Sequence, residues 1–302
     1  MTDILLRSAS YVAVMVLGYL LRHWGVLRKE DFRVLSTLVI KVTLPAAVII
    51  NFSGKQIDIS MLSMTLIGFL FAGLGALSGY LLNLRGTKED RAFSLLNYSS
   101  YNIGNFTMPF VQSFLGPTGV IVTSLFDVGN AVVCLGGAAA VANVVRKGGK
   151  LSVGKLLRAM GRSVSFLTYI TMTVLTVCHI TLPATLLQWV SIPANANVFL
   201  SMLMIGVGFS SVQDPSQWRA IRRFFVGRYG LAVVLALLCW FVLPFDAEIR
   251  RTLVVIVFAP VASSNLPFTR ETEGDVGLAS AMSSVSILCS VICMVTLLTF
   301  LA

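Results

Sequence analysis

Charge is scarce in this sequence, and acid is scarcer than base. Of 302 residues only 12% are Asp, Glu, Lys or Arg, and just 13 are acidic. A soluble domain carries about 25% charged residues. A chain this poor in charge, 56% hydrophobic and with a mean hydropathy of +0.86, is read as an integral membrane protein. Histidine is nearly absent, with two residues, and HExxH, GxSxG and Walker-type phosphate loops are missing. Neither histidine has a partner at triad spacing, so the chain is not read as an enzyme, and no cofactor or metal is expected. The five cysteines (Cys134, Cys178, Cys239, Cys289 and Cys293) lack CxxC spacing and fall inside apolar runs. They are expected to pack as small side chains rather than to pair or ligate. Long polar stretches are missing too. The longest, Arg146 to Arg162, is too short for an extramembrane or nucleotide-binding domain.

What the sequence does hold is apolar runs of spanning length. About 20 apolar residues cross a bilayer, and ten runs qualify: 4–22, 34–52, 61–83, 92–115, 119–145, 163–182, 193–212, 224–243, 249–269 and 277–301. The first run lacks a cleavage-type site after it and is read as a retained span. The net charge of +10 is unevenly spread. Eighteen Lys and Arg, Arg228 counted among them, fall in the odd-numbered connections, and four (Arg7, Lys55, Arg250 and Arg251) in the N-terminus and even connections. That asymmetry is the positive-inside pattern. It predicts cytoplasmic odd loops, both termini outside the cytoplasm, a multi-pass protein of the cell membrane, and no nucleic-acid partner.

The basic linker 146–162 separates two groups of five spans, 1–145 and 163–302. An odd number per group makes the second enter the membrane inverted relative to the first, as in many secondary transporters. The fourth and ninth spans, equivalent in the two groups, are interrupted: Asn97–Leu115 carries Asn102, Gly104, Asn105, Thr107 and Pro109, and Ala259–Phe268 reads APVASSNLPF. Proline removes a helical donor and crowds the carbonyl four residues back. In hydrocarbon such irregular backbone is tolerated only where it lines a protein or water-filled cavity. Two breaks meeting at mid-membrane would join amide ends, which favour anions, to carbonyl ends, which favour cations. Asn102, Asn105 and Pro109 with Ser263, Ser264, Asn265 and Pro267 are therefore the predicted substrate site. Asp127, inside the fifth span, is a candidate proton or cation carrier or else a packing partner of Asn130. Lys41 is read as snorkelling, and His23 and His179 as interfacial.

The run Asn102-x-Gly104…Pro109, Leu115-Gly116-Pro117-Thr118-Gly119 and Phe126-Asp127-Val128-Gly129-Asn130, with LVIKVTLPAAVI in the second span and Ala259-Pro260 through Gly274-Asp275-x-x-Leu278-Ala279-Ser280, resembles the auxin efflux carrier family of prokaryotes and plants. The resemblance covers essentially the whole chain. It implies an all-α fold of ten helices in a 5+5 inverted repeat, shared with bile-acid sodium symporters, in which helices 4 and 9 cross at prolines. A scaffold (spans one, two, six and seven) would support a transport domain (three to five and eight to ten) that moves like an elevator. The implied cargo is a small organic anion such as indole-acetate or another carboxylate, and plant relatives form homodimers. The family's crossover Asn and Pro correspond to Asn102 and Pro109; on the ninth span both Pro260 and Pro267 fit. Asn105 and Thr107 stand where the family has an apolar residue and Gly, making this site more polar. Efflux of the anion is the first reading. Sodium or proton symport through Asp127 is the alternative, and a channel or ligand sensor a more distant one.

Overall fold

The computed structural model describes residues 2–148, 153–209 and 217–301. The chain is all-helical, with no strand among the described residues. Helix α1 spans Thr2–His23. The second rod comprises α2 (Asp31–Leu38), a wide π turn (Val39–Thr43) and α3 (Leu44–Phe52). Helix α4 (Ser63–Leu82) leads to α5 (Lys88–Tyr98), whose start is fixed by a capping box between Thr87 and Asp90. After a break come a second π turn (Ile103–Thr107) and α6 (Met108–Phe114). Helix α7 (Gly116–Val132) continues through a third π turn (Val133–Gly137) into α8 (Ala138–Lys147). The second half holds α9 (Val153–Arg162), α10 (Val164–Val177), α11 (Ala184–Gly208), α12 (Trp218–Phe241), α13 (Ala247–Val257), α14 (Asn265–Glu271) and α15 (Val276–Leu301).

Six of these rods are long and apolar enough to cross a membrane: Asp31–Phe52, Ser60–Leu82, Gly116–Lys147, Ala184–Gly208, Trp218–Phe241 and Val276–Leu301. The others predicted from apolar runs differ for physical reasons. The fourth and ninth are each cut into two short helices, the sixth is a 14-residue helix, and the first is the 22-residue α1, which is not among the six. Two boundaries also move. The seventh run begins earlier than the apolar stretch suggested, at Ala184, and carries Pro193 inside the helix; residues 210–212 lie outside the described set. The basic linker is partly helical, with α9 occupying its second part, and 149–152 are likewise outside the described residues.

Proline explains the π turns of the second and fourth rods. Pro45 and Pro109 are each the second residue of a helix, and each is preceded by a five-residue π turn. A proline supplies no N–H to the carbonyl four residues back. Widening the preceding turn re-pairs neighbouring carbonyls with donors five residues on, as Thr107 N–H does to Asn102 O at 3.2 Å. Pro109 therefore bends a continuous segment and is not where the fourth rod breaks.

Small residues set the closest helix contacts. A Cβ at Gly68 on α4 would meet the Phe126 carbonyl, and one at Gly129 on α7 the Thr65 carbonyl, so α4 and α7 approach backbone to backbone. The two halves interlock: α12 packs on α4, α13 on α7, α14 on α5, and α1 on α11. One charge lies elsewhere than the sequence count put it. Arg228, grouped there with the loop cations, sits near the middle of α12 and is 3% exposed.

Candidate functional site

The fourth rod breaks at Ser99–Asn102, the ninth at Phe258–Ser264, and the breaks touch. Asn102 N–H donates to Pro260 O at 2.9 Å, and its side-chain amide donates to Ser263 Oγ at 2.9 Å. Ser100 Oγ donates to Asn265 Oδ1 at 3.3 Å, and Asn265 Nδ2 donates to Leu96 O at 3.0 Å, pairing a carbonyl at the end of α5. One step along, Asn97 Nδ2 bonds Thr269 Oγ1 at 3.1 Å. Unpaired peptide groups are expensive here, and the two crossing bonds that reach backbone, to Pro260 O and Leu96 O, replace helical ones that the breaks forfeit.

Side chains from other helices hold the first break open. Asn130 on α7 clamps Tyr101 from both sides, accepting its N–H and donating to its carbonyl, each at 2.9 Å. The same amide donates to Asp127 Oδ1 at 2.8 Å. On the opposite side Arg228 donates to Tyr98 O at 2.7 Å and Ser100 O at 2.9 Å, with its guanidinium 4.2 Å from the Tyr101 ring centroid. Between them Ser100 adopts a left-handed backbone, φ +51°, a conformation costly for a non-glycine residue and kept here by bonds on every side.

A cavity of about 150 Å³ opens at the crossing. Its walls include Tyr101, Asn102, Asn105, Asp127, Cys134, Tyr169, Ser263 and Ser264. Cys134 Sγ and Ser264 Oγ are 3.1 Å apart. One buried polar atom in this wall, Asn105 Oδ1, lacks a hydrogen-bond partner among the described residues, and the buried Tyr169 hydroxyl faces the Asp127 carboxylate. Buried polar atoms are nearly always paired, so Asn105 Oδ1 is an acceptor left open on the cavity wall. A larger cavity of about 450 Å³ between α4, α5 and α7–α8 has almost wholly apolar walls and offers such a ligand no anchor. Another, of about 500 Å³, lies beneath α9; Leu135 lines both it and the crossover cavity.

The predicted site residues are thus distributed. Asn102, Asn105, Ser263, Ser264 and Asp127 line the crossover cavity. Asn265 lies behind it as a buried strut, Pro109 is buried in α6, and Pro267 is exposed in the first turn of α14. Pro260, not Pro267, lies in the ninth-rod break and bonds Asn102. Sequence reasoning missed Arg228, Tyr169, Cys134 and the clamping role of Asn130. Only Arg228 left a usable signal, an arginine several residues inside an apolar run.

Outside the spans, Glu273 joins the two halves. Its carboxylate pairs with Lys147 Nζ at 2.8 Å and Arg146 Nη2 at 3.2 Å, while Arg146 also donates to Thr272 O. The hydrogen bond and charge of Lys147, then the charge of Arg146, hold the Glu273 carboxyl below the usual carboxylate range.

No curated protein matches the chain. Residues 7–152 match the family described as membrane transport protein, whose members are transporters rather than enzymes. That stretch contains the first break, Asn102, Asn130 and Asp127, and the match, together with the long apolar rods, supports a multi-pass membrane transport protein.

Proposed function

We propose that this protein is a secondary carrier of a small organic anion, binding its cargo where the two broken rods cross. The observation that carries the reading is the polar cavity at the crossing, with Asn102 bonded across to Pro260 and Ser263 and with Asn105 left unpaired in its wall. Interrupted helices at equivalent places in two halves are the usual site of a secondary transporter. In this reading ten rods form two inverted groups of five, the short broken rods counting as the fourth and ninth. The transport domain, α4–α8 with α12–α15, slides against α1–α3 with α10–α11 to carry the crossover from one side to the other. Leu135, shared by the crossover cavity and the one beneath the basic α9, supports access from the linker side. Efflux of an anion needs no coupling ion where the membrane is negative inside, since the potential supplies about 2.3 kcal/mol per charge per 100 mV.

The test is uptake into proteoliposomes, with labelled indole-acetate and a panel of short carboxylates chosen by a thermal-shift screen. Asn102→Ala, correctly inserted and folded, is expected to abolish saturable uptake; normal uptake by that variant overturns the crossover site. Saturable counterflow separates a carrier from a channel or a sensor. A second reading, symport with a proton or cation, is favoured by Asp127 in the cavity wall, where its carboxylate meets the Tyr169 hydroxyl. There Asp127→Asn is expected to uncouple transport from the ion gradient. Uptake indifferent to both gradients removes this reading.

A further inference from the structure

Four carbonyls at the end of α5 and in the first break are met by two kinds of donor. Neutral amides serve two of the neighbouring positions: Asn265 Nδ2 bonds Leu96 O at 3.0 Å and Asn130 Nδ2 bonds Tyr101 O at 2.9 Å. Tyr98 O and Ser100 O, by contrast, receive the guanidinium of Arg228 at 2.7 and 2.9 Å. Hydrogen bonding alone does not require a charge there, because an amide does the same work next door. Burying a cation in mid-membrane is costly, and such residues are functional candidates by default. Arg228 is 3% exposed and has no carboxylate at ion-pair distance among the described residues. The structure also makes room for it: a Cβ at Gly75 would lie 3.0 Å from Arg228 Nη1 and 2.7 Å from Tyr98 O.

We propose that Arg228 is the positioning residue that sets the charge of the crossover, offsetting Asp127 and the carbonyl end of α5 so that an anionic cargo enters a neutral site rather than a negative one. This rests on the anion-carrier reading. The guanidinium lies against one face of Tyr101 (4.2 Å to the ring centroid), and Tyr101 and Asp127 both line the cavity. The cation therefore stands one aromatic ring behind the wall, and the carboxylate stands in it. A helix carbonyl end carries roughly −0.5 of charge. Without Arg228 the cavity would present that partial charge and a carboxylate to an incoming anion. Arginine suits the task because it keeps its charge at any physiological pH and holds two acceptors at once.

The test compares each carboxylate with its own uncharged amide, using indole-3-acetate against indole-3-acetamide and benzoate against benzamide, bound to purified protein. Structural damage weakens both members of a pair; loss of charge weakens only the carboxylate. Arg228→Met is expected to reduce the carboxylate-over-amide preference roughly tenfold, as removal of one charge at this range implies. Arg228→Lys keeps the preference. Asp127→Asn, which leaves Arg228 in place, raises the preference by a similar factor. Equal loss of both probes in Arg228→Met, or a lower preference in Asp127→Asn, overturns this inference and leaves the carrier reading intact. A wild type that tells no carboxylate of the panel from its amide overturns the anion reading, and this inference with it.

Discussion

The two breaks that meet at the crossover are held in different ways. The first, Ser99–Asn102, is short and braced from three directions by Asn130, Arg228 and Asn265. The second, Phe258–Ser264, is longer and mostly apolar (Ala259, Pro260, Val261, Ala262). Its Pro260 carbonyl and Ser263 hydroxyl accept from Asn102, and Val261 N–H reaches Ser286 Oγ at 3.4 Å. Among the described residues, a charged side chain hydrogen-bonds the first break, through Arg228, and none hydrogen-bonds the second. The difference teaches that one break is the template and the other is shaped against it: the first keeps a strained Ser100 by side-chain bonds, and the second fits its carbonyl and hydroxyl to Asn102.

That asymmetry can be broken experimentally. The largest effect is expected from Asn130→Ala, which strips the clamp from Tyr101 and the donor from Asp127. Leaving two or three buried groups unpaired costs on the order of 3 kcal/mol, seen as a Tm in detergent lower by roughly 5–10 °C. Asn265→Ala, which frees the Ser100 hydroxyl and leaves Leu96 O with only the Ser99 hydroxyl, is expected to cost about 1–2 kcal/mol by the same measurement. Ser286→Ala, on α15 behind the second break, removes the long bond from Val261 N–H and a local bond to Ser283 O, and should cost about 1 kcal/mol or less. A Ser286 variant as damaged as the Asn130 one would mean that the second break carries its own bracing.

The smallest effect concerns the tie beyond the second break. Glu273 has a depressed pKa in the folded state. Its contribution to stability is therefore complete above the unfolded carboxylate value, about 4.3, and is lost as the pH falls through the lower folded value. Being exposed, it contributes little. Glu273→Gln is expected to lower Tm slightly at pH 6 and to leave it unchanged at the acid end of the titration. An equal deficit at both ends would assign the tie no electrostatic part.

Much of the fold was legible because membrane helices follow composition directly. A run such as Val276–Leu301 has no alternative in lipid but to pair its own backbone. The fourth and ninth rods were legible as interrupted, because Asn, Ser and Pro are poor company for hydrocarbon. Where they break was not. Pro109 drew attention, yet a π turn absorbs it, and the break falls at Ser99–Asn102, where no proline stands. Arg228 was misfiled for a related reason: counting cations by loop treats an arginine near a span's end as solvated, whereas burial depends on what packs around it.

The sequence by itself determined which segments are apolar, which are interrupted and how basic residues alternate between connections, since each is a property of neighbours along the chain. Only the tertiary structure decided that Pro260 rather than Pro267 meets Asn102, that Asn130 grips Tyr101, and that a guanidinium from α12 occupies the carbonyl end of α5. Those partners stand 29 to 161 residues apart in the chain. Hydrogen bonds of that span follow from helix packing, which no local periodicity encodes.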